Sequence, residues 1–526
     1  MQRMMKISWK HTVIASLTAA LLGGCAGGVP EQSSPTQAEA AKPAAETAVQ
    51  TQAPKSEGHL KIAVSNDVDG LDPHRTVSAS TFQVTNNIFD TLIGTDPSGN
   101  LQPRLAEKWT PSADGKAWTF ALKKGVKFHN GRDMTAEDVQ FSLERLMGEG
   151  SPRAKDYSSV IDKVTADSPE QLTITLKQGS ASFLSSLAMP WAAVVPKESV
   201  EQLKQKPVGT GAFRLVEWVP QQKVVLEKNA DYYGKTVSLD KVEFLVIPDS
   251  ATQLINLKSG QVHIAGLSGE QAEEVKKDQK LQLYTKPSNS VQLMALNNKV
   301  APLDNMKVRQ AIALAVNKEQ VIIGSNWGFG AKIGSHLSPS DTYYKDFTKT
   351  LEHDVTKAKE LLKEAGLEKG FDLTLSLPQP YAVHVKAGEV VADQLKQIGV
   401  NVKLETVDWG KWVKDIYTGR QYEATIIAHT GRLDPDAMLS RYATDSKENY
   451  MNYSNAAVDE ALKKGTVTID AKERKDIYAS VQETLASEVP AVYLQAPYTL
   501  LGMSAKVKGF ETYPIDIYEL SNVSLQ

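Results

Sequence analysis

The 526-residue chain has a single cysteine, Cys25, so it cannot form an internal disulfide. It has no apolar run of the roughly 20 residues that a membrane-spanning helix requires. Its net charge of −3 leaves no basic excess, which argues against nucleic acid as a partner. With 41% hydrophobic and 23% charged residues, such a chain must derive its stability from large apolar cores.

The sequence also lacks the common signatures of enzymes. No H-E-x-x-H, G-x-S-x-G or C-x-x-C occurs in it. The segment Gly234-Lys235-Thr236 resembles the end of a P-loop, but Asn229 stands where that loop requires glycine. The nine histidines are scattered, with no pair three or four residues apart. The sequence therefore predicts a protein that is not an enzyme and holds no cofactor and no metal ion; an enzyme of an unfamiliar kind is the alternative.

The first 25 residues predict export and attachment to a membrane. Residues 1–10 carry three basic side chains and no acid, residues 12–22 are mostly apolar, and the letters LGGC follow at 22–25. This pattern is typical of a secretory signal peptide, here residues 1–24. The cut site resembles the bacterial lipobox, which predicts that lipid on Cys25 holds the protein on the cell membrane, at the surface or in the periplasm. An ordinary secreted protein with an incidental cysteine is the alternative.

The rest of the chain divides into a tether and a long α/β body. Residues 25–57 contain almost no large apolar side chain, which predicts a disordered tether. The body is too long for one core and predicts two or three domains. Strands and helices alternate in it, which indicates α/β layers. The pattern predicts strands at 59–64, 118–122, 172–176, 224–226, 242–247, 373–377, 400–404 and 424–428, and helices at 308–316, 354–365 and 385–398.

Several stretches, in a fixed order, resemble one family of transport proteins. They are LQPRLAEKWTPSADGKAWTFALKKGVKF at 101–128, HNGRDMTAEDVQF at 129–141, PVGTGAF at 207–213, NADYYG at 229–234, LNNKVAPLDNMKVRQAIALA at 296–315, KAKELLKEAG at 357–366 and DPD at 434–436. Together they resemble the family 5 extracellular solute-binding proteins of ABC importers, the peptide, nickel and opine group. Most of these residues make turns and helix caps, so they identify the family without locating the ligand.

The resemblance implies a fold and a division into lobes. The fold is the α/β, two-lobed, periplasmic-binding-protein-like fold of type II, cluster C, with an extra subdomain inserted in lobe I. Lobe I would comprise 58–290 plus 496–526, with the insertion at about 104–207, and lobe II would comprise 291–495. The ligand would lie between the lobes, which close on it by hinge bending.

The resemblance also implies the function and the partners. A monomer anchored by its lipid would capture a small solute, such as an oligopeptide, a nickel chelate or an opine-like compound. It would deliver that solute to an ABC permease and its ATPase. A surface receptor for a peptide signal is the alternative, because the same clamp serves both functions.

Arg432 is the first candidate ligand-binding residue. It lies in GRLDPD, residues 431–436, directly after the strand 424–428, where α/β proteins bind ligands. Its planar guanidinium suits a carboxylate. Alternatively, Arg432 pairs with Asp434 or Asp436 and only holds the loop. Asp434 is a further candidate, although its position beside proline also fits a structural turn.

Further candidates follow other strands: Gln379 and Tyr381 after 373–377, Trp409 after 400–404 and Asn66 after 59–64, with residues 71–74 and Trp191 as weaker ones. The indole rings of Trp409 and Trp412 either face a ligand or pack between elements of the predicted lobes. Arg stands in place of Gln379, and Asp in place of Gly431, in the pattern of the dipeptide-binding members, which predicts weak binding of simple dipeptides. His384 and His429 either contact a metal chelate or are hydrogen-bonded structural residues.

Overall fold

The computed structural model describes residues 58–379 and 381–526. The predicted signal peptide 1–24, the predicted tether 25–57 with Cys25, and Pro380 lie outside the described residues. None of the helices in the two described segments is long and apolar enough to cross a membrane.

Twenty strands account for the sheets of the described residues. In chain order they are β1 His59–Val64, β2 Ile93–Thr95, β3 Leu101–Pro103, β4 Ala106–Pro111, β5 Ala117–Leu122, β6 Ile161–Ser168, β7 Gln171–Leu176, β8 Phe213–Val219, β9 Lys223–Lys228, β10 Lys241–Val246, β11 Ile264–Gly266, β12 Leu281–Pro287, β13 Ser290–Leu296, β14 Gly330–Lys332, β15 Phe371–Pro378, β16 Val400–Val407, β17 Ala424–Thr430, β18 Ala491–Ser504, β19 Val507–Lys508 and β20 Ser524–Leu525. All the predicted strands are confirmed.

Fourteen α-helices pack on these sheets within the described part of the chain. They are α1 Ala79–Thr85, α2 Ala136–Met147, α3 Ala154–Ser158, α4 Phe183–Ser186, α5 Ser250–Lys258, α6 Gly269–Val275, α7 Met306–Ala315, α8 Lys318–Asn326, α9 Val355–Glu364, α10 Ala382–Lys396, α11 Trp409–Lys411, α12 Asp436–Leu439, α13 Ala456–Val467 and α14 Ala471–Glu488. The helix α11 continues as a wide π-helical segment, Trp412–Thr418. Short 3₁₀ turns cover Pro190–Ala192, Lys197–Ser199 and Ser440–Tyr442. All three predicted helices are confirmed, as α7, α9 and α10.

Local signals in the sequence explain where these helices begin and end. Thr135 and Asp138 form a capping box at the start of α2, with the Thr135 backbone N–H donating to Asp138 Oδ2 at 2.9 Å. Asp354 caps α9, because its side chain accepts a hydrogen bond from the Lys357 backbone at 2.9 Å. After α10, Gly399 has φ of +81°, a left-handed conformation that glycine adopts without steric cost. Residues close in the chain therefore set these helix ends.

The principal sheet has twelve strands and is held together by one long strand. Its order is β16-β15-β17-β13-β18-β11-β1-β10-β9-β8, with β12 and β14 also paired to β18. The first half of β18 pairs antiparallel with β13, and the second half pairs with β11 and β12. Because β18 runs through both halves, it joins the parts expected to be lobe II and lobe I. The lobe boundaries themselves stay a prediction.

A separate four-stranded sheet, β4-β5-β7-β6, lies within the segment expected to be inserted in lobe I. Its strand β5 alternates buried and half-buried residues, with Trp118, Phe120 and Leu122 facing inward. Helix α2 covers this face with Val139 and Leu143. The resulting core also takes in side chains from distant parts of the chain: Leu433, Ile515 and Ile517. The loop after β17 is therefore packed against the four-stranded part of the molecule.

Candidate functional site

A cavity of about 240 Å³ lies where the loop after β17 meets the segment 153–191. Side chains from both sides line it, including those of Arg153, Tyr157, Ser185, Trp191, Arg432 and Asp434. The two sides are far apart in the chain but share the core that contains Leu433 and Trp191. A concave site between two packed parts, with a few converging polar groups, is the usual form of a small-molecule site.

The backbone of the loop is fixed by a close approach to Asn289. The Gly431 backbone N–H donates to the Asn289 carbonyl oxygen. Asn289 Nδ2 in turn donates to the carbonyl oxygens of Pro514 at 2.7 Å and Arg432 at 3.2 Å. A Cβ atom at position 431 would lie 2.2 Å from Asn289 Oδ1 and 2.6 Å from its carbonyl oxygen. Only glycine therefore fits at 431 in this arrangement, which leaves no room there for an aspartate.

Asp434 is engaged on the buried side of the loop. Its Oδ2 and Oδ1 accept hydrogen bonds from Arg474 Nη1 and Nη2 at 2.6 and 2.7 Å, a bidentate pair. Arg474 Nε also donates to the Gly465 carbonyl at 2.8 Å, and Nη1 donates to Tyr343 Oη at 2.9 Å. Arg474 and Asp434 are 3% and 5% exposed. This pair holds the loop against α14.

Asp436 is the second acid of the loop, and it also has partners, on α13 and α14. Its Oδ1 accepts hydrogen bonds from Thr466 Oγ1 and Tyr478 Oη, each at 3.1 Å. Burial raises the pKa of the Asp436 carboxyl, and the charge of Asp434 raises it further. Neither acid of the loop pairs with Arg432. The ion pair with Asp434 or Asp436 that the alternative interpretation of Arg432 requires is therefore not formed.

The Arg432 guanidinium faces the cavity. Among the described residues it forms no side-chain hydrogen bond and no ion pair, and its Cζ lies 5.5 Å from the centre of the Trp191 ring. Burial lowers the pKa of Arg432, and the positive charge of Arg153 lowers it further. A half-buried cation without a counter-ion is unfavourable by itself and favours the binding of an anion.

Arg153 reaches the same indole from the other side of the cavity. Its Cζ lies 4.4 Å from the centre of the Trp191 ring. Its one ion-pair contact in the described part of the chain is a long one, 3.4 Å from Nη1 to Asp156 Oδ2. Its Nε is buried without a hydrogen-bond partner. Arg153 was not singled out from the sequence, because it lies in an irregular segment before α3 that carries no motif.

Comparison with known proteins identifies the family. Residues 100–450 match the bacterial extracellular solute-binding proteins, family 5. The chain belongs to this family. The predicted α/β, two-lobed binding-protein fold is confirmed by solved structures, among them the periplasmic binding protein DppA of Helicobacter pylori in complex with the peptide STSA. That chain is 30% identical, with a TM-score of 0.71 over 89% of this chain and 98% of that one.

Several curated relatives of this family 5 protein are named for peptide ligands, and one, of Haemophilus influenzae, is named as a heme-binding protein. The dipeptide-binding protein of Escherichia coli (strain K12) is 28% identical over 87% of this chain and 93% of its own length. The glutathione-binding protein GsiB of Pectobacterium atrosepticum is 30% identical over 88% of this chain and 93% of its own length. The relatives are binding proteins of transport systems, and the family is an extracellular one.

The other candidate residues of this family 5 protein lie away from the cavity. Tyr381 and Trp409, each 41% exposed, form an edge-to-face pair with ring centres 5.4 Å apart. Trp409 also stacks on Trp412 at 5.1 Å. Gln379 and Asn66 are exposed. The roles of these four candidates stay predictions, whereas packing is confirmed for Trp412, which is buried and donates from Nε1 to Thr425 Oγ1 at 3.0 Å.

The histidines that the sequence placed near the site are hydrogen-bonded inside the protein. His384 Nδ1 lies 2.8 Å from Gln292 Nε2, and His429 Nδ1 lies 3.0 Å from His336 Nε2. The rings of His336 and His429 stack with centres 5.0 Å apart. Across residues 58–379 and 381–526, no group of three or more His, Cys, Asp or Glu is placed to hold a metal ion. Both histidines are therefore hydrogen-bonded within the protein, as the structural interpretation requires.

Residues 71–74 are also structural. The Asp72 carboxylate accepts a bidentate pair of hydrogen bonds from Arg145 at 3.0 and 2.5 Å. His74 Nε2 lies 2.8 Å from the Ala193 carbonyl oxygen, and burial lowers the pKa of His74 to about 4. Trp191, by contrast, lines the cavity, and its role in binding stays a prediction.

Proposed function

We propose that this protein is the substrate-binding component of an ABC importer and captures a small peptide-like solute. The observation that carries the proposal is the cavity in which Arg432, half-buried and without a counter-ion among the described residues, faces Trp191. Family membership and the peptide and glutathione ligands in the names of the relatives support the solute class.

The proposed mechanism is a clamp. The expected lobe I is 58–290 plus 496–526, with the insertion at about 104–207, and the expected lobe II is 291–495. The strands β13 and β18 pass between these parts and pair with each other, which supports their role as the hinge. Closure would bring the segment 153–191 and the loop 431–436 onto the solute and remove water from both. The captured solute would then be delivered to a membrane permease driven by its ATPase.

Solute binding is tested first on the protein as purified. Native mass spectrometry of the protein without refolding is expected to show an added mass, and release of that mass identifies the solute. Its uptake is then measured in the encoding organism with and without the gene. A protein that carries no solute and binds no peptide, opine or metal chelate by calorimetry would contradict the proposal.

Simple dipeptides are expected to bind weakly. Gln379 cannot form an ion pair with a carboxylate, and position 431 has no room for the acid that would pair with an amine. A buried charge without a partner costs several kcal/mol. Calorimetry with Ala-Ala and with longer peptides checks this, and submillimolar binding of Ala-Ala would contradict it.

Tyr381 and Trp409 are proposed to contact an apolar part of the solute. Two large rings that are each 41% exposed and pack edge to face present apolar area to the solvent. Asn66 and Gln379, both exposed after the ends of strands, are proposed as polar contacts. Trp409→Ala should weaken binding of the identified solute, whereas Trp327→Ala, at an exposed tryptophan after α8, should not.

The proposed location is the outer face of a bacterial cell membrane, or the periplasm, through lipid on Cys25. Cys25 is the only thiol in the chain and therefore the only site for thiol-linked lipid. Several acyl chains anchor a protein stably because each buried CH₂ contributes about 0.8 kcal/mol. Cys25→Ser should move the protein from the detergent phase to the aqueous phase in detergent partitioning. Equal partitioning of the two proteins would show that Cys25 is not the anchor.

A further inference from the structure

Two guanidinium groups from distant parts of the chain meet at one indole ring. Arg153 Cζ lies 4.4 Å, and Arg432 Cζ 5.5 Å, from the centre of the Trp191 ring. Trp191 is 8% exposed and is held by the 3₁₀ turn Pro190–Ala192 and by the ring of Phe82 at 5.6 Å. The indole is thus a fixed platform on which two cations face one cavity.

The acids around the cavity do not neutralise both cations. Asp434 is engaged by Arg474, and Asp436 accepts hydrogen bonds from Thr466 and Tyr478. Asp156 lies 3.4 Å from Arg153, but its side chain is 56% exposed, so solvent weakens the attraction. Neither Arg153 nor Arg432 therefore has a close, buried carboxylate partner among the described residues.

We propose that Arg153 and Arg432 together bind one carboxylate group of the solute above the face of Trp191. Each guanidinium presents a planar fork of donors that matches a carboxylate, and the charge of the anion offsets the repulsion between the two cations. The carboxylate joins the segment 153–191 to the loop after β17, so its binding favours closure of the cavity. This inference rests on the proposed solute-binding function and names the solute class: a carboxylate-bearing one.

The proposed carboxylate subsite lies at a different place from the carboxylate-binding arginine of the dipeptide-binding pattern. Gln379, which occupies the arginine position of that pattern, is exposed and does not line the cavity. The carboxylate recognised by the two arginines comes from a chain terminus or from an acidic side chain. Both sources present the same planar anion, so the experiment must distinguish them.

Four matched tetrapeptide pools test the carboxylate requirement on the full-length protein. Their first three positions are mixtures of non-acidic residues, and they end in free-acid glutamine, amidated glutamine, free-acid glutamate or amidated glutamate. Members that bind are identified by mass spectrometry after ultrafiltration, and their affinities are measured by calorimetry. We expect amidated glutamine peptides to bind at least 30-fold more weakly than free-acid glutamate peptides, which carry both candidate carboxylates. Tight binding of amidated glutamate peptides would assign the side chain as the source, and weak binding would assign the terminus.

Three single variants and one double variant assign the effect to the two arginines. Arg153→Gln and Arg432→Gln should each lower the affinity for free-acid peptides at least 30-fold. In the double variant the preference for free acids over amides should fall below threefold. Arg214→Gln is the control, because Arg214 is an exposed arginine on β8 that pairs with Glu227. Each variant is first compared with the wild type by thermal melting.

The outcomes separate this inference from the proposed function. If amidated glutamine peptides, which have no carboxylate at that residue, bind wild type as tightly as the other three pools, the carboxylate subsite is wrong and solute binding stands. If no peptide binds, peptide capture fails, and the subsite is decided by calorimetry with glutarate against glutaramide. Saturable glutarate binding that is lost in the double variant supports the subsite. No glutarate binding to wild type, in that case, overturns it.

Discussion

Arg432 and Arg474 lie on opposite sides of one short loop and have opposite surroundings. Arg474, on the buried side, donates to Asp434, Gly465 and Tyr343 with distances of 2.6–2.9 Å. Arg432, on the cavity side, makes no side-chain hydrogen bond within the described part of the chain and faces a second cation. The two arginines are equally charged, so the difference comes entirely from their partners.

The comparison separates a structural charge from a binding charge. A buried cation whose donors are satisfied stabilises one loop conformation, and removal of either partner leaves the other charge buried and unpaired. A half-buried cation without a partner adds nothing favourable to the fold, and its interaction energy becomes available to a ligand. The predictions below test this distinction, from the largest expected effect to the smallest.

Arg474→Gln should lower the free energy of unfolding by about 3–5 kcal/mol, because it leaves the Asp434 carboxylate buried without its counter-ion. Urea denaturation of the variant and the wild type measures the change. Arg214→Gln, which removes an exposed pair with Glu227, is the control and should cost at most about 1 kcal/mol. Equal stabilities of the Arg474 variant and the control would show that the buried pair does not hold the loop.

Arg432→Gln should leave the melting temperature of the ligand-free protein unchanged or higher, because it removes an unpaired cation. The same change should cost about 2–5 kcal/mol of affinity for the identified solute, mostly through faster release. Thermal melting and stopped-flow dissociation measure the two effects. A lower melting temperature with an affinity loss under about tenfold, or 1.4 kcal/mol, would place Arg432 on the structural side of the comparison.

Gly431→Ala should destabilise the protein by about 1–3 kcal/mol, because the new methyl group overlaps Asn289. The overlap should also displace the neighbouring Arg432 and weaken solute binding. Chemical denaturation and calorimetry check both effects. Gly410→Ala, at an exposed glycine of α11, is the control. Gly125→Ala is unsuitable, because Gly125 has a positive φ. Full stability and affinity in the Gly431 variant would show that the close approach to Asn289 is dispensable.

Acid should destabilise the fold through two buried histidines, His336 and His429, that lie beside each other. Burial lowers the pKa of His336 and His429, and the charge of Arg441 lowers both further. Neutral histidines are thus favoured in the fold, whereas the unfolded chain takes up protons below its ordinary pKa of 6.5. Stability is therefore fully present above that pH and falls as the pH decreases, by up to about 1.4 kcal/mol per pH unit for each histidine.

Denaturant titrations between pH 7 and pH 5 measure this slope. His429→Gln should reduce the slope relative to wild type, whereas His353→Gln, at an exposed histidine before α9, should leave it unchanged. A slope that is equal in all three proteins would show that the stacked histidine pair does not control acid stability.

The local structure of the chain was largely predictable from its sequence. The alternation of Trp118, Phe120 and Leu122 predicted β5, and Asp354 and Gly366 predicted both ends of α9. These features depend on residues close in the chain, where side-chain period and backbone preference act directly. The pairing of β18 with strands of both halves of the sheet was not predictable in detail, because it depends on contacts between residues far apart in the chain.

The site was predictable only in part. The position of Arg432 after a strand indicated a ligand-facing loop, and the structure brings it to a cavity. Arg474, which takes the Asp434 carboxylate, was not singled out, because it lies on a helix forty residues away without a motif. Arg153 was missed for the same reason. Sequence spacing reports neighbours along a helix or strand, and it carries no information about cations that meet across a fold.

The sequence by itself determined the class of this protein: the order of its motifs specified the family, and its composition excluded internal disulfides. It also indicated where eight strands and three helices lie, since these depend on residues close in the chain. Only the tertiary structure decided that Arg474 has carboxylate and carbonyl partners and that Arg432 faces the cavity. This difference depends on where folding places the neighbouring carboxylates. The Asp434 carboxylate can form a bidentate pair with only one guanidinium. Because the loop packs against α14, that partner is Arg474, and Arg432 faces the cavity without an ion-pair partner among the described residues.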